Sequence, residues 1–259
     1  MMAWQLSHVL DNSWVPIIMS LCSFSTMAGL LLWFKFSSLY SGLFILTMSS
    51  TIITAFTWFR DISREGSFQG HHTWVVMKGL KWGLVWFLFS EVWFFFSVFW
   101  SFFHASVAPI TSGFISWPFI SMEIIPPFQV PLLNTLILLM SGVTATLAHQ
   151  ALLGGELTPW VKISIFLGIY FLALQGLEYY TASYTLSAGA YGSVFFFGTG
   201  FHGLHVCLGV MMLTVSHMRH LKLTISSNHH FSVEFSLWYW HFVDVVWLFL
   251  FFWVYTWGG

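Results

Sequence analysis

Apolar residues run almost unbroken in stretches of about 20, the length that crosses a bilayer core as a helix, with polar residues mainly between the stretches. Seven such stretches predict seven spans: Ile17–Phe34, Leu39–Phe59, Val75–Phe103, Val130–Ala148, Val161–Tyr180, Tyr191–Val215 and Val233–Trp257. Periodicity of two, the mark of a barrel strand, is missing, so helices are the expected spanning elements. The third span is long enough to tilt or to extend past the bilayer. The most polar stretch, Arg60–Trp74, is expected to be a loop dividing two helices (17–59) from five (75–257) within one membrane domain, 1–259. His104–Pro131 is the longest connection, and Pro109, Pro118, Pro126, Pro127 and Pro131 prevent it from being helical throughout. No internal repeat is visible, as an inverted-repeat transporter would show.

Composition sharpens this. Only 7% of the residues are charged, against about a quarter in a soluble domain, and 58% are hydrophobic. No water-facing surface can be made from that, and nothing suggests nucleic-acid binding. The placement of Lys and Arg then sets the threading. With the N-terminus inside, Arg60, Arg64, Lys78, Lys81, Lys162, Arg219 and Lys222 fall on the inner side and only Lys35 on the outer. The N-terminus is therefore expected inside and the C-terminus outside. The first 16 residues fit neither a signal peptide nor a transit sequence, which implies synthesis beside the membrane that receives the chain. Cys22 and Cys207 lie within spans and read as packing residues, with no disulfide or zinc framework.

Ionisable residues inside spans are functional candidates because hydrocarbon makes them costly. Glu91 sits near the middle of the third span with no Lys or Arg close by, and is expected to be neutral there. His202 and His205 share a face of the sixth span, and His241 and Asp244 a face of the seventh. Both pairs lie near mid-depth. They are expected to meet as a polar clamp between neighbouring helices, His202 or His205 on His241 or Asp244. Glu178 falls at the outer end of the fifth span, where an interfacial carboxylate costs less. His8, His71, His72, His149, His217, His220, His229 and His230 all fall on the inner side. A stand-alone membrane di-iron enzyme would use such histidines, but in boxes like H-x-x-H-H. Here the pairs are bare, so surface histidines are expected and no metal site.

Five stretches are too specific for composition: WFRDISREGSFQGHHT at 58–73, SEVWFFFSVFW at 90–100, VPLLNTLILLMSGVT at 130–144, YGSVFFFGTGFHGLHV at 191–206, and SNHHF with WYWHFVDVVWLFLF within 227–251. They resemble the cytochrome c oxidase subunit III family, mitochondrial type, in order and over essentially the whole chain. The first half of the His104–Pro131 loop and the Trp-rich third span depart from that pattern. The resemblance implies an all-α fold of two helices splayed from a five-helix bundle, with phospholipid in a V-shaped cleft. It implies a subunit of the oxidase of the mitochondrial inner membrane, partnered by subunit I, subunit II and accessory subunits. Haem and copper would lie in those partners and none on this chain, which would stabilise subunit I and support proton uptake. Glu91 matches the family's intramembrane carboxylate. Arg64, Arg219 and Lys222 match positions near bound cardiolipin. Trp58, Glu65 and His72 match positions near a phospholipid in that cleft, and the lipids implied for the chain are cardiolipin, phosphatidylglycerol or phosphatidylethanolamine.

Overall fold

A chain with this hydropathy must satisfy its own backbone hydrogen bonds in lipid, and helices do so within each segment. The computed structural model, which describes residues 13–36, 40–107, 117, 123–154, 159–225 and 230–258, is helical accordingly. Seven helices are long and apolar enough to cross a membrane: α1 Val15–Phe36, α2 Ser41–Ser67, α3 Trp74–Val107, α4 Val130–Leu153, α5 Trp160–Thr181, α6 Gly189–Leu221 and α7 Phe231–Leu250. A π-helical segment, Phe251–Trp257, continues α7 without a break. The chain divides into two compact units, Met1–Lys81 and Trp82–Gly259. That boundary falls inside α3, about two turns beyond the polar stretch from which the sequence predicts a division.

The polar stretch itself differs from its expectation. Residues 60–67 continue α2 as helix instead of starting a loop. Nothing in Arg60–Glu65 disfavours a helix, and the charges simply mark where α2 leaves the hydrocarbon. The turn ends with Phe68 N–H and Gln69 N–H both donating to the Arg64 carbonyl, at 2.9 and 3.2 Å, and with Gly70 at a φ of 68°. That left-handed position is a glycine's, and it stops the helix. The ring of His72 then folds back over Gly66, so close that a Cβ there would come 2.7 Å from its Nδ1.

In the first unit α1 and α2 pack along a seam of small and hydroxyl side chains. Thr26 Oγ1 lies 2.7 Å from Thr51 Oγ1, and Cys22 Sγ 3.8 Å from Thr54 Oγ1. Gly29 lets the backbones approach, since a Cβ there would sit 3.3 Å from Phe44 Cα. This is the way helices associate in lipid, where apolar side chains gain nothing by leaving it. Gly29 is the only buried residue in the described part of α1, and α2 has none.

The second unit has a true core, built from α4–α7 with the described part of α3 beyond Lys81. Two tryptophans on α7 organise it. Trp247 donates its indole N–H to Thr135 Oγ1 and Trp240 to Ser141 Oγ, each at 3.0 Å, pinning α7 to α4 at two levels. Hydroxyl bridges tie the remaining neighbours: Thr144–Ser164 for α4 and α5 (2.7 Å), Tyr179–Thr199 for α5 and α6 (2.6 Å), Ser216–Ser236 for α6 and α7 (2.9 Å). The ring of Trp240 is seated between Gly168 of α5 and Gly209 of α6. A Cβ at the first would stand 2.5 Å from Cη2, and at the second 2.7 Å from Cε3. One side chain thus touches α4, α5 and α6 from α7.

One face of α3 is different. Trp82, Trp86, Phe89, Trp93, Phe96 and Trp100 recur at helical spacing, and each is at least half exposed. From Trp86 to Phe96 successive rings meet edge to face, with centroids 5.4–5.9 Å apart. The opposite face packs inward through Phe95, Val98 and Phe102. Trp117, the described residue of the long connection before Glu123, stacks edge-on against Phe102 and Tyr191.

Candidate functional site

Glu91 and His205 meet near the middle of the second unit. α3 supplies the carboxylate and α6 the imidazole, with Oε2 2.8 Å from Nε2. On the other side of the ring, Nδ1–H donates to the Phe201 carbonyl at 2.7 Å, one turn back on α6. That second bond fixes the tautomer. With Nδ1 protonated, two arrangements remain for the short bond: a carboxylic acid donating to the bare Nε2, or an imidazolium donating to a carboxylate. Both hold the same protons and both are neutral overall. They differ only in which end of a 2.8 Å bond carries one proton.

The surroundings are aromatic. Phe94 stacks on the His205 ring at 6.3 Å, Phe95 meets it edge-on at 5.0 Å, and Tyr239 lies parallel at 6.2 Å. The side chains of His205 and Glu91 are 12% and 23% exposed. A pair in so apolar a pocket is held by its own hydrogen bonds, because little else nearby can solvate it.

The expected clamp between α6 and α7 is not the arrangement found. His205 turns to α3, as above. His202 is fully buried and donates Nε2–H to the Val243 backbone carbonyl of α7, at 3.1 Å, while its ring packs against Phe171 and Trp247. Its Nδ1 is left buried with no partner among the described residues. His241 and Asp244 face α4 instead. A Cβ at Gly142 would meet Asp244 Oδ2 at 3.0 Å and His241 Nδ1 at 3.8 Å. Residues three apart on a helix differ by about 60° in azimuth, enough to send His202 and His205 to different neighbours.

Glu178 also departs from its expectation. It is buried, at 4% exposure, and accepts a hydrogen bond from the fully enclosed Tyr255 in the π-helical segment, at 2.5 Å. Tyr255 lies in the aromatic run that ends the seventh span, and nothing in the sequence singles it out as this partner.

The residues matched to lipid sites stand at helix ends. Trp58, Arg64 and Glu65 lie on the last turns of α2, Trp58 and Glu65 on one face, and His72 lies on the turn that follows. Arg219 is in the last turn of α6 and Lys222 is its C-cap. Thr224 donates through both its backbone N–H and its hydroxyl to the Arg219 carbonyl, closing that end. His8 and His229 lie outside the described residues.

Comparison with known proteins decides the family. The family model described as Cytochrome c oxidase subunit III matches residues 6–259. A protein named Cytochrome c oxidase subunit 3 from Anopheles gambiae is 48% identical over 255 residues, covering 97% of each chain. Proteins of that name from Syncerus caffer and Drosophila melanogaster are 47% identical over 255 residues, again covering 97% of each. The chain belongs to the cytochrome c oxidase subunit III family. Its seven apolar helices make it a multi-pass membrane protein of that family. Membership of the subunit III family leaves the stand-alone di-iron alternative without support, and is consistent with a chain that carries no redox cofactor of its own.

Proposed function

We propose that this chain is a non-redox core subunit of the oxidase that passes electrons from cytochrome c to oxygen, set in the mitochondrial inner membrane with its N-terminus inside. Haem and copper reside in its partners. Its role is to stabilise subunit I, to hold structural phospholipid and to support proton uptake. The end-to-end family match carries this reading. The neutral Glu91–His205 pair supports the proton part, because it stores a mobile proton at mid-depth without burying net charge. Subunit I is the main expected contact, with subunit II and accessory subunits beside it.

Purification from native membrane in mild detergent should bring haem-bearing subunits with the chain in constant ratio, read from the visible spectrum. A chain that purifies alone and colourless would overturn the proposal.

The lipid part is tested separately. Arg64 and Lys222 are exposed and Arg219 is half-buried, each at a helix end where an anionic headgroup can approach. Cardiolipin or phosphatidylglycerol is the expected ligand there, with phosphatidylethanolamine the alternative near Trp58, Glu65 and His72. Each cation near a membrane surface contributes about 1 kcal/mol to such binding, close to fivefold. The Arg64→Gln and Arg219→Gln variants should each retain correspondingly less anionic lipid through purification, measured by mass spectrometry of the extract. Equal retention in wild type and both variants would show that these cations hold no lipid.

A further inference from the structure

One end of the second unit carries a cluster that the Glu91–His205 pair does not use. His149 lies on the last turns of α4. His230 is the residue before α7, and Glu234 follows it by one turn in the first turn of α7. One donor atom from each of the three lies within 4.8 Å of the others. His230 Nε2 is 3.2 Å from Glu234 Oε1, and the rings of His149 and His230 are 5.9 Å apart at 57°.

Two features go beyond an ordinary His–Glu contact. His149 Nε2 is buried and has no hydrogen-bond partner among the described residues. A buried ring nitrogen without a partner is uncommon, and it asks for a ligand. Beside it opens a cavity of about 160 Å³, lined by Thr146, His149, Gln150, Glu234, Trp238 and His241. It has room for water and leads directly to the cluster.

We propose that His149, His230 and Glu234 form a binding site for a divalent zinc-class ion, its fourth position taken by water from the cavity. Two imidazole nitrogens and one carboxylate oxygen, with one position open, suit a borderline cation. Magnesium and calcium would need an oxygen cage, and a soft monovalent copper would need sulfur. The spacing is close to what is required. Ligand atoms on a tetrahedral zinc stand about 3.4 Å apart for bonds of about 2.0–2.1 Å. His230 and Glu234 are already at that separation, and His149 closes the remainder by side-chain rotation. α4 and α7 would then be joined by a metal bridge at the end of the bundle that also carries Lys162, Arg219 and Lys222.

The test uses the intact oxidase complex equilibrated with zinc and freed of excess. Zinc per complex should fall by one ion when the complex contains His149→Gln or Glu234→Gln, and zinc affinity at this site should weaken at least about tenfold. Unchanged zinc content and affinity in both variants would overturn the proposal. A variant that does not assemble does not block the test, because wild-type complex can be measured alone. Anomalous scattering at the zinc edge should place a peak within about 2.0–2.2 Å of donors from all three residues. A zinc-saturated complex with no peak there would overturn it equally.

Discussion

Replacement of Trp240 by alanine is expected to destabilise the second unit by about 3–5 kcal/mol, the range for emptying a large aromatic site in a packed core. The ring is 1% exposed and fits between two glycines, so neither backbone can move in to fill the space without dragging its helix. The variant also leaves the Ser141 hydroxyl without the indole it accepts from. Trp240→Phe should be milder, losing chiefly that hydrogen bond, about 1 kcal/mol. Gly209→Leu approaches the same joint from the other side, since any Cβ there meets the Trp240 ring. Detergent unfolding of the purified complex, followed by protease sensitivity of α4–α7, measures all three. Wild-type resistance in Trp240→Ala would mean that the ring does not pin the bundle.

A second large effect is expected at mid-depth. Glu91→Leu should cost about 1–3 kcal/mol, because it leaves His205 Nε2 unpaired in an aromatic pocket, and His205→Leu should cost a similar amount. The double variant should be less damaged than the two costs added, with a coupling of about 0.5–3 kcal/mol between residues in direct contact. Glu91→Gln keeps a donor for Nε2 and should fall closest to wild type. Strict additivity in this cycle would show that the two side chains do not depend on each other. In the same variants, proton uptake by the complex should slow for Glu91→Leu and His205→Leu more than for Glu91→Gln.

The seven helices were legible because lipid imposes one rule on every span, and hydropathy states that rule directly. Their edges were less so. Residues 60–67 are polar yet helical, and only the backbone at Gly70 shows where α2 stops. Polar pairing was the least legible. Sequence places Glu91, His202, His205, His241 and Asp244 at similar depth but says nothing of which way each helix is turned. A partial signal for Glu91 exists, a lone carboxylate at the level of a histidine three spans further along the chain, but nothing in the sequence makes α3 and α6 neighbours. His149 and His230 offered still less, being bare histidines on different helices until the fold brings α4 and α7 side by side. Gly142, Gly168 and Gly209 read as ordinary glycines, and their role appears only once the side chain opposite each is known.

The aromatic face of α3 has an implication for whatever lies against it. Trp240 and Trp247 have acceptors for their indole N–H groups in Ser141 and Thr135. Trp86, Trp93 and Trp100 have none among the described residues, and Trp93 sits only two residues from the mid-depth Glu91. Indoles favour the headgroup level, where ester and water oxygens are abundant. Deeper in the bilayer, plain acyl chain offers no oxygen at all, and an unmet donor there costs about 1–3 kcal/mol. This face therefore discriminates between coverings by their oxygen content and not by their greasiness: a neighbour that brings a carbonyl to the level of Trp93 gains over one that brings only methylene.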